Sequence, residues 1–228
     1  MTHARKGAEA YGALSQIFPK ATNWVPLVLA IAGPAIGLLA IGVVWYFFSP
    51  EFTDVGYAPE QPVPYSHKLH VGELGLDCRY CHVSVDVSAV SNVPPTQTCM
   101  KCHTVIKRDS ELLEPIRQSA LSGKPLRWVR VHNLPDYSFF NHSVHVRAGV
   151  GCVSCHGRVD QMEVVTQTEP LSMSWCLDCH RNPAPHLRPT EEVTNMEWIP
   201  PRDHATFATT VIETKKLSPP ENCTACHR

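Results

Sequence analysis

The chain has 228 residues, 43% of them hydrophobic and 18% charged, with a formal net charge of -1. That apolar content excludes a disordered chain and fits one or two domains, and the charge provides no basic surface for nucleic acid. Ten cysteines and 13 histidines, with 20 prolines against 12 glycines, disfavour an ordinary enzyme fold and indicate a chain rich in cofactor or metal ligands.

A long uncharged run begins shortly after the N-terminus. Residues 1–23 form a polar, amphipathic lead, whereas residues 24–48 carry no charge and are bracketed by aromatic residues. Because about 20 apolar residues cross a bilayer and aromatic residues mark its interfaces, the sequence predicts a transmembrane helix over 24–48. The alternative is a cleaved signal peptide. It is disfavoured because the run exceeds the usual apolar core of about 7 to 15 residues and no small-x-small cleavage pattern follows.

Charge predicts the orientation of this helix. Arg5, Lys6 and Lys20 precede it, and the charged residues that follow it, as far as residue 64, are all acidic. Since positive residues stay on the cytoplasmic side, we expect residues 1–23 in the cytoplasm. The rest of the chain is then expected on the periplasmic side of the cell (inner) membrane. Residues 49–64 contain four prolines and are predicted to form an extended linker.

All ten cysteines belong to five copies of one motif, Cys-x-x-Cys-His. This is the attachment signature of haem c: the two thiols add across the porphyrin vinyl groups, and the histidine binds the iron as its proximal ligand. We therefore expect five covalently bound haem c groups. The predicted thioether cysteines are Cys78, Cys81, Cys99, Cys102, Cys152, Cys155, Cys176, Cys179, Cys223 and Cys226. The predicted proximal ligands are His82, His103, His156, His180 and His227.

Two other uses of paired cysteines fit the pattern less well. Zinc ribbons close a tetrahedral site with two such pairs, so five pairs would leave one unmatched and the five trailing histidines unexplained. A disulfide within each motif, or a redox dithiol of the thioredoxin kind, would require a repeated βαβ pattern that the sequence lacks.

An internal repeat places a pair of histidines ahead of the haem motifs. The first copy begins at Tyr65 and the second at Phe140, and each runs from the aromatic residue through His-x-x-His-Val to two Cys-x-x-Cys-His motifs. The units span about 65–110 and 138–186 of a haem domain over 65–228, whose fifth motif stands alone at the C-terminus. Histidines three apart share a helix face, and each ring can reach a different haem, so each pair ties two haems together.

There are enough histidines to close every iron on both faces. Seven remain after the proximal ligands and His3 are set aside, and five haems need five distal ligands. The predicted distal ligands are His67, His70, His142, His145 and His132. His132 is chosen for the fifth position, for which other candidates remain: His186, His204, Met162, Met173 and Met196.

The ratio of polypeptide to haem predicts the fold class. With about 36 residues for each haem, the chain cannot wrap a conventional core around every porphyrin. We expect a mainly α fold with much irregular structure and little or no sheet. Short helices should lie at the motifs, and the porphyrins should form the hydrophobic interior of the haem-packed domain.

The motifs resemble those of known multihaem cytochromes. The His-x-x-His pair ahead of Cys-x-x-Cys-His is similar to the small class III cytochromes. The order of one N-terminal span, five haem motifs and the stretch 127–137 leading into 140–146 resembles the pentahaem cytochrome c subunit of alternative complex III, a quinol:electron acceptor oxidoreductase. The similarity runs over nearly the whole chain and includes residues 161–163 and 175–176.

This resemblance implies a subunit that conducts electrons from a quinol-oxidising membrane complex to a monohaem cytochrome c or another extracytoplasmic acceptor. The implied partners are an iron-sulfur subunit related to molybdopterin oxidoreductases, polytopic membrane subunits that bind quinol, and the monohaem cytochrome c. Membrane lipid is expected around the single helix, and no nucleic acid is expected. A single helix cannot enclose a quinol, so no catalytic residue is expected in this chain and its status as an enzyme is left open.

Two other functions are weighed against this one. The first is a free-standing, membrane-anchored quinol dehydrogenase that feeds a periplasmic reductase, a type that typically has four haems. The second is a multihaem reductase of a small oxyanion, which would keep one iron open; here all five motifs end in histidine and further histidines are available. The final acceptor, and a respiratory or photosynthetic host chain, are left open at this stage.

Overall fold

The computed structural model describes residues 18–48 and 54–227, and it divides the chain into two units, Met1–Phe52 and Thr53–Arg228. The predicted cytoplasmic segment lies outside the described residues up to residue 17, as does the linker over residues 49–53. Arg5 and Lys6, on which the predicted orientation partly rests, belong to that undescribed part of the chain.

The first unit contains one long apolar helix. A 3-10 turn over Lys20–Trp24 leads into α1 (Val25–Phe48), in which Pro34 is accommodated. The span Lys20–Phe47 has a mean hydropathy of 2.5, so by length and composition it can cross a membrane as an anchor or serve as a signal sequence. Its apolar side chains are exposed, Leu38 to 71%, as expected of a helix that meets lipid.

The second unit is built from short helices and irregular chain. Its α-helices are α2 (Cys78–Cys81), α3 (Thr96–His103), α4 (Glu114–Ser122), α5 (His142–Ala148), α6 (Val153–His156), α7 (Met173–Arg181), α8 (His204–Lys215) and α9 (Cys223–Cys226). A π-helical turn spans Lys68–Glu73, and 3-10 turns span Glu111–Leu113, Val159–Gln161, Ala184–His186 and Thr190–Glu192. Within the described residues, β structure is limited to two isolated bridges. The predicted fold class is therefore confirmed.

The protein core of this unit is small. Seven apolar residues of the described chain are buried, and Val85, Val146 and Val193 form the one cluster of buried residues found there. Many apolar side chains of the second unit stay exposed, including Val83 and Val105. So little buried apolar surface cannot offset the entropy of ordering this much chain. The polypeptide therefore depends on something else to fill its interior.

The two repeats pack into one another. The backbone N–H groups of His142 and Ser143, at the start of α5, donate to the carbonyls of Ala89 and Ser88 in the loop after α2. Arg147 donates from Nε to the Asp86 carbonyl at 3.1 Å. The loop that follows the first haem motif therefore positions the histidine helix of the second repeat.

Candidate haem sites

Short helices begin at or beside the cysteine motifs, and side-chain caps start three of them. Asp77 accepts a hydrogen bond from the Arg79 N–H at the start of α2, and Asn222 accepts one from the Ala225 N–H at the start of α9. Ser172 does the same for α7. Residues i, i+3 and i+4 lie on one helix face, so one helical turn presents the two thiols and the imidazole of a motif on the same side.

The ten cysteines all lie within the described residues, and none of them forms a disulfide. No group of three or more His, Cys, Asp or Glu side chains in residues 18–48 and 54–227 is placed to hold a metal ion. Burial raises the pKa of the Cys155 thiol to about 12, with further contributions from Cys179 and Cys176. Partly buried, uncrosslinked thiols are the form in which cysteines add to haem vinyl groups.

Neighbouring thiols show which motifs are adjacent. Cys78 of the first motif and Cys152 of the third shift each other's pKa, and Cys81 of the first motif adds to the rise that burial gives the pKa of Cys99 in the second. The third and fourth motifs meet where Cys179 and Cys176 raise the pKa of Cys155, and the fourth and fifth meet where Cys226 raises that of Cys176. Taken together, these neighbouring pairs place the motifs in a row, in the order two, one, three, four, five.

Three pairs of imidazoles face one another at nearly the same separation. The ring centroids are 6.2 Å apart for His70 and His103, 6.4 Å for His142 and His156, and 6.2 Å for His145 and His180. Two metal–nitrogen bonds of about 2 Å, with each ring centre about 1 Å beyond its nitrogen, place the centres roughly 6 Å apart. Each pair therefore has the separation of two imidazoles that share one iron.

The orientation of these rings leaves the correct nitrogen available. Among the predicted distal ligands, Nδ1 of His70, His142 and His145 lies 2.8 to 2.9 Å from the carbonyls of Ser66, Ala89 and Asn141. A carbonyl only accepts, so each Nδ1 must carry the proton and each Nε2 keeps its lone pair for a metal.

Three of the five predicted proximal ligands follow the same rule. Nδ1 of His82 donates to the Asn92 carbonyl at 2.8 Å. Likewise, Nδ1 of His103 donates to the Ile106 carbonyl at 2.9 Å and Nδ1 of His180 to the Pro220 carbonyl at 2.6 Å. Pro220 lies just before the fifth motif, so the chain leading into that motif orients the proximal histidine of the fourth.

An aromatic ring holds each His-x-x-His pair. Tyr65 stacks on His70 with centroids 4.4 Å apart and meets His67 edge-on at 4.8 Å. In the second repeat the aromatic residue is Phe140, which stacks on His145 at 4.5 Å and meets His142 edge-on at 4.7 Å. The arrangement is the same in both repeats.

Burial favours the neutral form of four imidazoles, those of His67, His132, His145 and His156. It lowers the pKa of His67 to about 4, with smaller contributions from His82 and His70, and it lowers the pKa of His156 to about 3, with His132 as the next cause. Neutral imidazole is the form that binds a metal. Nδ1 of His67 and Nε2 of His132 are buried without a hydrogen-bond partner, a costly state unless another group satisfies them.

The candidates for the fifth distal position differ in their surroundings. The His132 ring packs edge-on against His156 at 4.4 Å, too close for the two to lie on either side of one iron. His204 donates from Nε2 to the Leu187 carbonyl at 2.6 Å and packs between Trp198 and Phe207, so that nitrogen is already used. His186 is exposed.

Residues 138 and 139 lie alongside the fifth motif. Ser138 forms an isolated bridge with His227, and the Phe139 N–H donates to the Cys226 carbonyl at 2.7 Å. The Tyr137 ring lies 5.9 Å from the His227 ring. His132 therefore precedes, by a few residues, the segment that contacts the fifth motif.

These observations fit haem c: paired imidazoles with free Nε2 atoms, uncrosslinked thiols on helical turns, and too little apolar core without a further hydrophobic group. The family described as cytochrome c7 and related cytochrome c matches residues 138–228. Residues 138–228 are a cytochrome c7-like multihaem domain. This match and the five Cys-x-x-Cys-His motifs together imply a multihaem cytochrome c with covalently bound haem.

Two relatives extend the similarity of this cytochrome. It is 32% identical over 129 residues to the menaquinone reductase, multiheme cytochrome c subunit, of Nitratidesulfovibrio vulgaris (strain Hildenborough), covering 56% of this chain and 60% of that one. It is 26% identical over 111 residues to the acrylate reductase cytochrome subunit of Shewanella woodyi, covering 49% of this chain and 68% of that one. The cytochrome therefore spans about three fifths of the length of the first relative.

Sequence reasoning missed several residues at these sites. The carbonyls of Ala89, Asn92 and Pro220 orient histidines, but any residue supplies a carbonyl and the sequence contains no signal for it. The buried Arg188 beside the third motif was also missed. Tyr65 and Phe140 were recognised as the start of each repeat, but their stacking on the histidines is visible only in the structure.

Proposed function

We propose that this cytochrome is a membrane-anchored pentahaem conductor of electrons, with five haems that each have two histidine ligands. The three imidazole pairs at 6.2 to 6.4 Å carry this proposal, because two rings that close both faces of an iron leave no position for a substrate. When bound, haem c supplies a one-electron ferric/ferrous couple. The chain holds the imidazoles in place, so that little rearrangement accompanies the change of charge.

The proposed axial pairs follow from the rings and the repeat. His103, His156 and His180 pair with His70, His142 and His145 respectively. In the second repeat the first histidine of His-x-x-His serves the first motif, so by the same rule His67 serves His82. Burial lowers the pKa of His67, and the nearby His82 is the next cause.

For the fifth iron, at His227, we propose His132. Its Nε2 is buried without a partner, whereas Nε2 of His204 is bonded to a carbonyl. Its present contact with His156 means that it must turn toward the fifth motif when haem is bound.

In the cell we propose that the cytochrome works as a subunit of a quinol-oxidising complex of the alternative complex III type. Two named relatives are themselves cytochrome subunits of larger reductases, which supports a subunit over a free-standing dehydrogenase. The proposed partners are the iron-sulfur subunit, the polytopic quinol-binding subunits and a monohaem cytochrome c. We further propose that α1 anchors the chain with its N-terminus in the cytoplasm and its haem domain on the periplasmic side.

A second candidate is conduction in the opposite direction. It is favoured by the first relative, which is named a menaquinone reductase. The haem potentials decide between the two directions, because electrons leave a quinol only for haems of higher potential.

Mass spectrometry of the mature chain tests the central proposal. It should find the added mass of five haems, and electron paramagnetic resonance should show five low-spin ferric haems. Fewer than five added haems, or a haem that binds carbon monoxide in the intact protein, would contradict it. Purification from membranes tests the subunit assignment: several tightly bound partners support the complex, whereas quinol oxidation by the isolated chain contradicts it.

A further inference from the structure

Arg188 is a buried guanidinium beside the third haem motif. It is only 6% exposed, and its backbone N–H donates to the Gly149 carbonyl at 2.8 Å. The neighbouring Leu187 forms an isolated bridge with Val150. These contacts bind the chain around 188 to the segment that enters the third motif.

The guanidinium itself packs on that segment. A Cβ added at Gly151, the residue before Cys152, would overlap the Cζ and Nε atoms of Arg188. The Trp198 ring covers the group, with Cζ 4.8 Å from the ring centroid, and Nη1 donates to the Asn195 carbonyl at 3.0 Å. The positive charge is therefore held against the backbone of the motif and shielded from water.

Among the described residues this charge has no carboxylate within salt-bridge distance; burial lowers the pKa of Arg188, and Cys152 and Glu192 act on it only at longer range. None of the salt bridges found in residues 18–48 and 54–227 includes Arg188, and its Nε–H is buried without an acceptor. Isolating a guanidinium in this way is costly, and the group keeps its proton at any working pH. The positive field is therefore permanent and, because water is excluded, weakly screened.

We propose that Arg188 is a potential-setting residue that raises the reduction potential of the haem attached at Cys152 and Cys155. This inference rests on the proposed haem attachment. One electron, received from an adjacent haem in the row, lowers the net charge of the third haem by one. A fixed positive charge beside that haem stabilises the reduced form relative to the oxidised form.

The test is a redox titration of the intact five-haem protein, resolved into its components. Arg188→Gln should move one component to lower potential, with about a tenfold change in its ratio of oxidised to reduced haem, or about 59 mV for one electron. Arg188→Lys keeps the charge and should leave that component near its native value. The component should be the one that His142→Met alters, since His142 faces the third proximal histidine.

A matched control removes an exposed charge beside another haem motif. Arg181 follows His180, is 58% exposed in its side chain and pairs with Glu221. Arg181→Gln should therefore shift its component less than Arg188→Gln. Equal shifts in the two variants, or no shift in Arg188→Gln, would overturn the inference.

Haem counting separates this inference from the proposed function. A native chain without five haems contradicts the proposed function, whereas a native chain with five haems and an unmoved Arg188→Gln titration contradicts only the role of Arg188. If Arg188→Gln fails to assemble, Trp198→Leu keeps the charge but opens it to water. That variant should lower the same potential by a smaller amount and make it depend on salt, and an unchanged potential would again overturn the inference.

Discussion

In the first repeat Tyr65 stacks on His70, whose ring faces His103 at 6.2 Å, and in the second Phe140 stacks on His145, whose ring faces His180 at the same distance. The backbone that carries these rings differs. The first pair lies at the start of a π-helical turn, where Ser66 Oγ accepts from the Leu69 N–H, and the second on an α-helix capped by Asn141. The spacing of the two histidines and the aromatic ring ahead of them therefore set the ligand geometry, and different helical turns can carry it.

The repeats also differ in their position. The second repeat contributes the third and fourth motifs, which lie between the first motif and the fifth in the row of thiols. Its helix is docked on the loop of the first repeat and lies near the buried Arg188. The first repeat contributes the second motif, at one end of the row. The two repeats have the same kind of ligands, but a haem inside the row should matter more for conduction than the haem at its end.

The largest effect should come from removing a haem in the middle of the row. Cys152→Ser with Cys155→Ser should leave four haems in two separated groups, because electrons hop only across short gaps. Cys99→Ser with Cys102→Ser should leave four haems in one group. After pulsed reduction, the first variant should equilibrate its electrons in two phases and the second in one. A single phase in both four-haem variants would contradict the proposed order.

The next effect concerns the distal ligands, where the repeats should behave alike. His70→Ala and His145→Ala should each turn one low-spin haem into a high-spin haem that binds carbon monoxide, because each removes one ring of a facing pair. His204→Ala is the control, since its Nε2 is bonded to Leu187. Optical and electron paramagnetic resonance spectra check all three. An unaltered low-spin spectrum would remove that histidine from the ligand set.

The sequence predicts some of the features behind these two predictions and not others. The motifs predict the fold class, the haem chemistry and the repeated histidines, because those follow from local spacing. The pairing of rings within each repeat and the order of the motifs cannot be predicted in this way, because they depend on contacts between distant segments, such as His142 with Ala89. Arg188 is one arginine in a proline-rich stretch, and its burial has no local signal. The contact of His132 with His156 is likewise non-local.

A smaller effect is a difference in stability between alanine variants of two glycines, one after each histidine pair. Gly75 has φ +68° with open space around it, whereas Gly149 has φ +102° and a Cβ there would overlap the Arg188 carbonyl. Gly75→Ala should cost about 1 kcal/mol from left-handed strain alone. Gly149→Ala should cost about 3 kcal/mol or more, because overlap with backbone is added. Urea unfolding of the haem-loaded protein measures both, and equal losses would show that the packing around Gly149 is not as tight as described.

The smallest effect should come from Tyr65→Phe, which gives both histidine pairs the same aromatic residue. Tyr65→Phe removes a hydroxyl whose pKa burial raises, with Cys81 as the next cause, and which therefore stays neutral at any working pH. The ring that stacks on His70 remains, so the low-spin spectrum should persist and stability should change by less than about 1 kcal/mol. Tyr65→Leu removes the ring and should cost about 0.5 to 1.5 kcal/mol more than Tyr65→Phe through the lost stacking. If Tyr65→Phe instead alters the spectrum as strongly as Tyr65→Leu, then the hydroxyl holds the first histidine pair, and the resemblance between Tyr65 and Phe140 is one of shape alone.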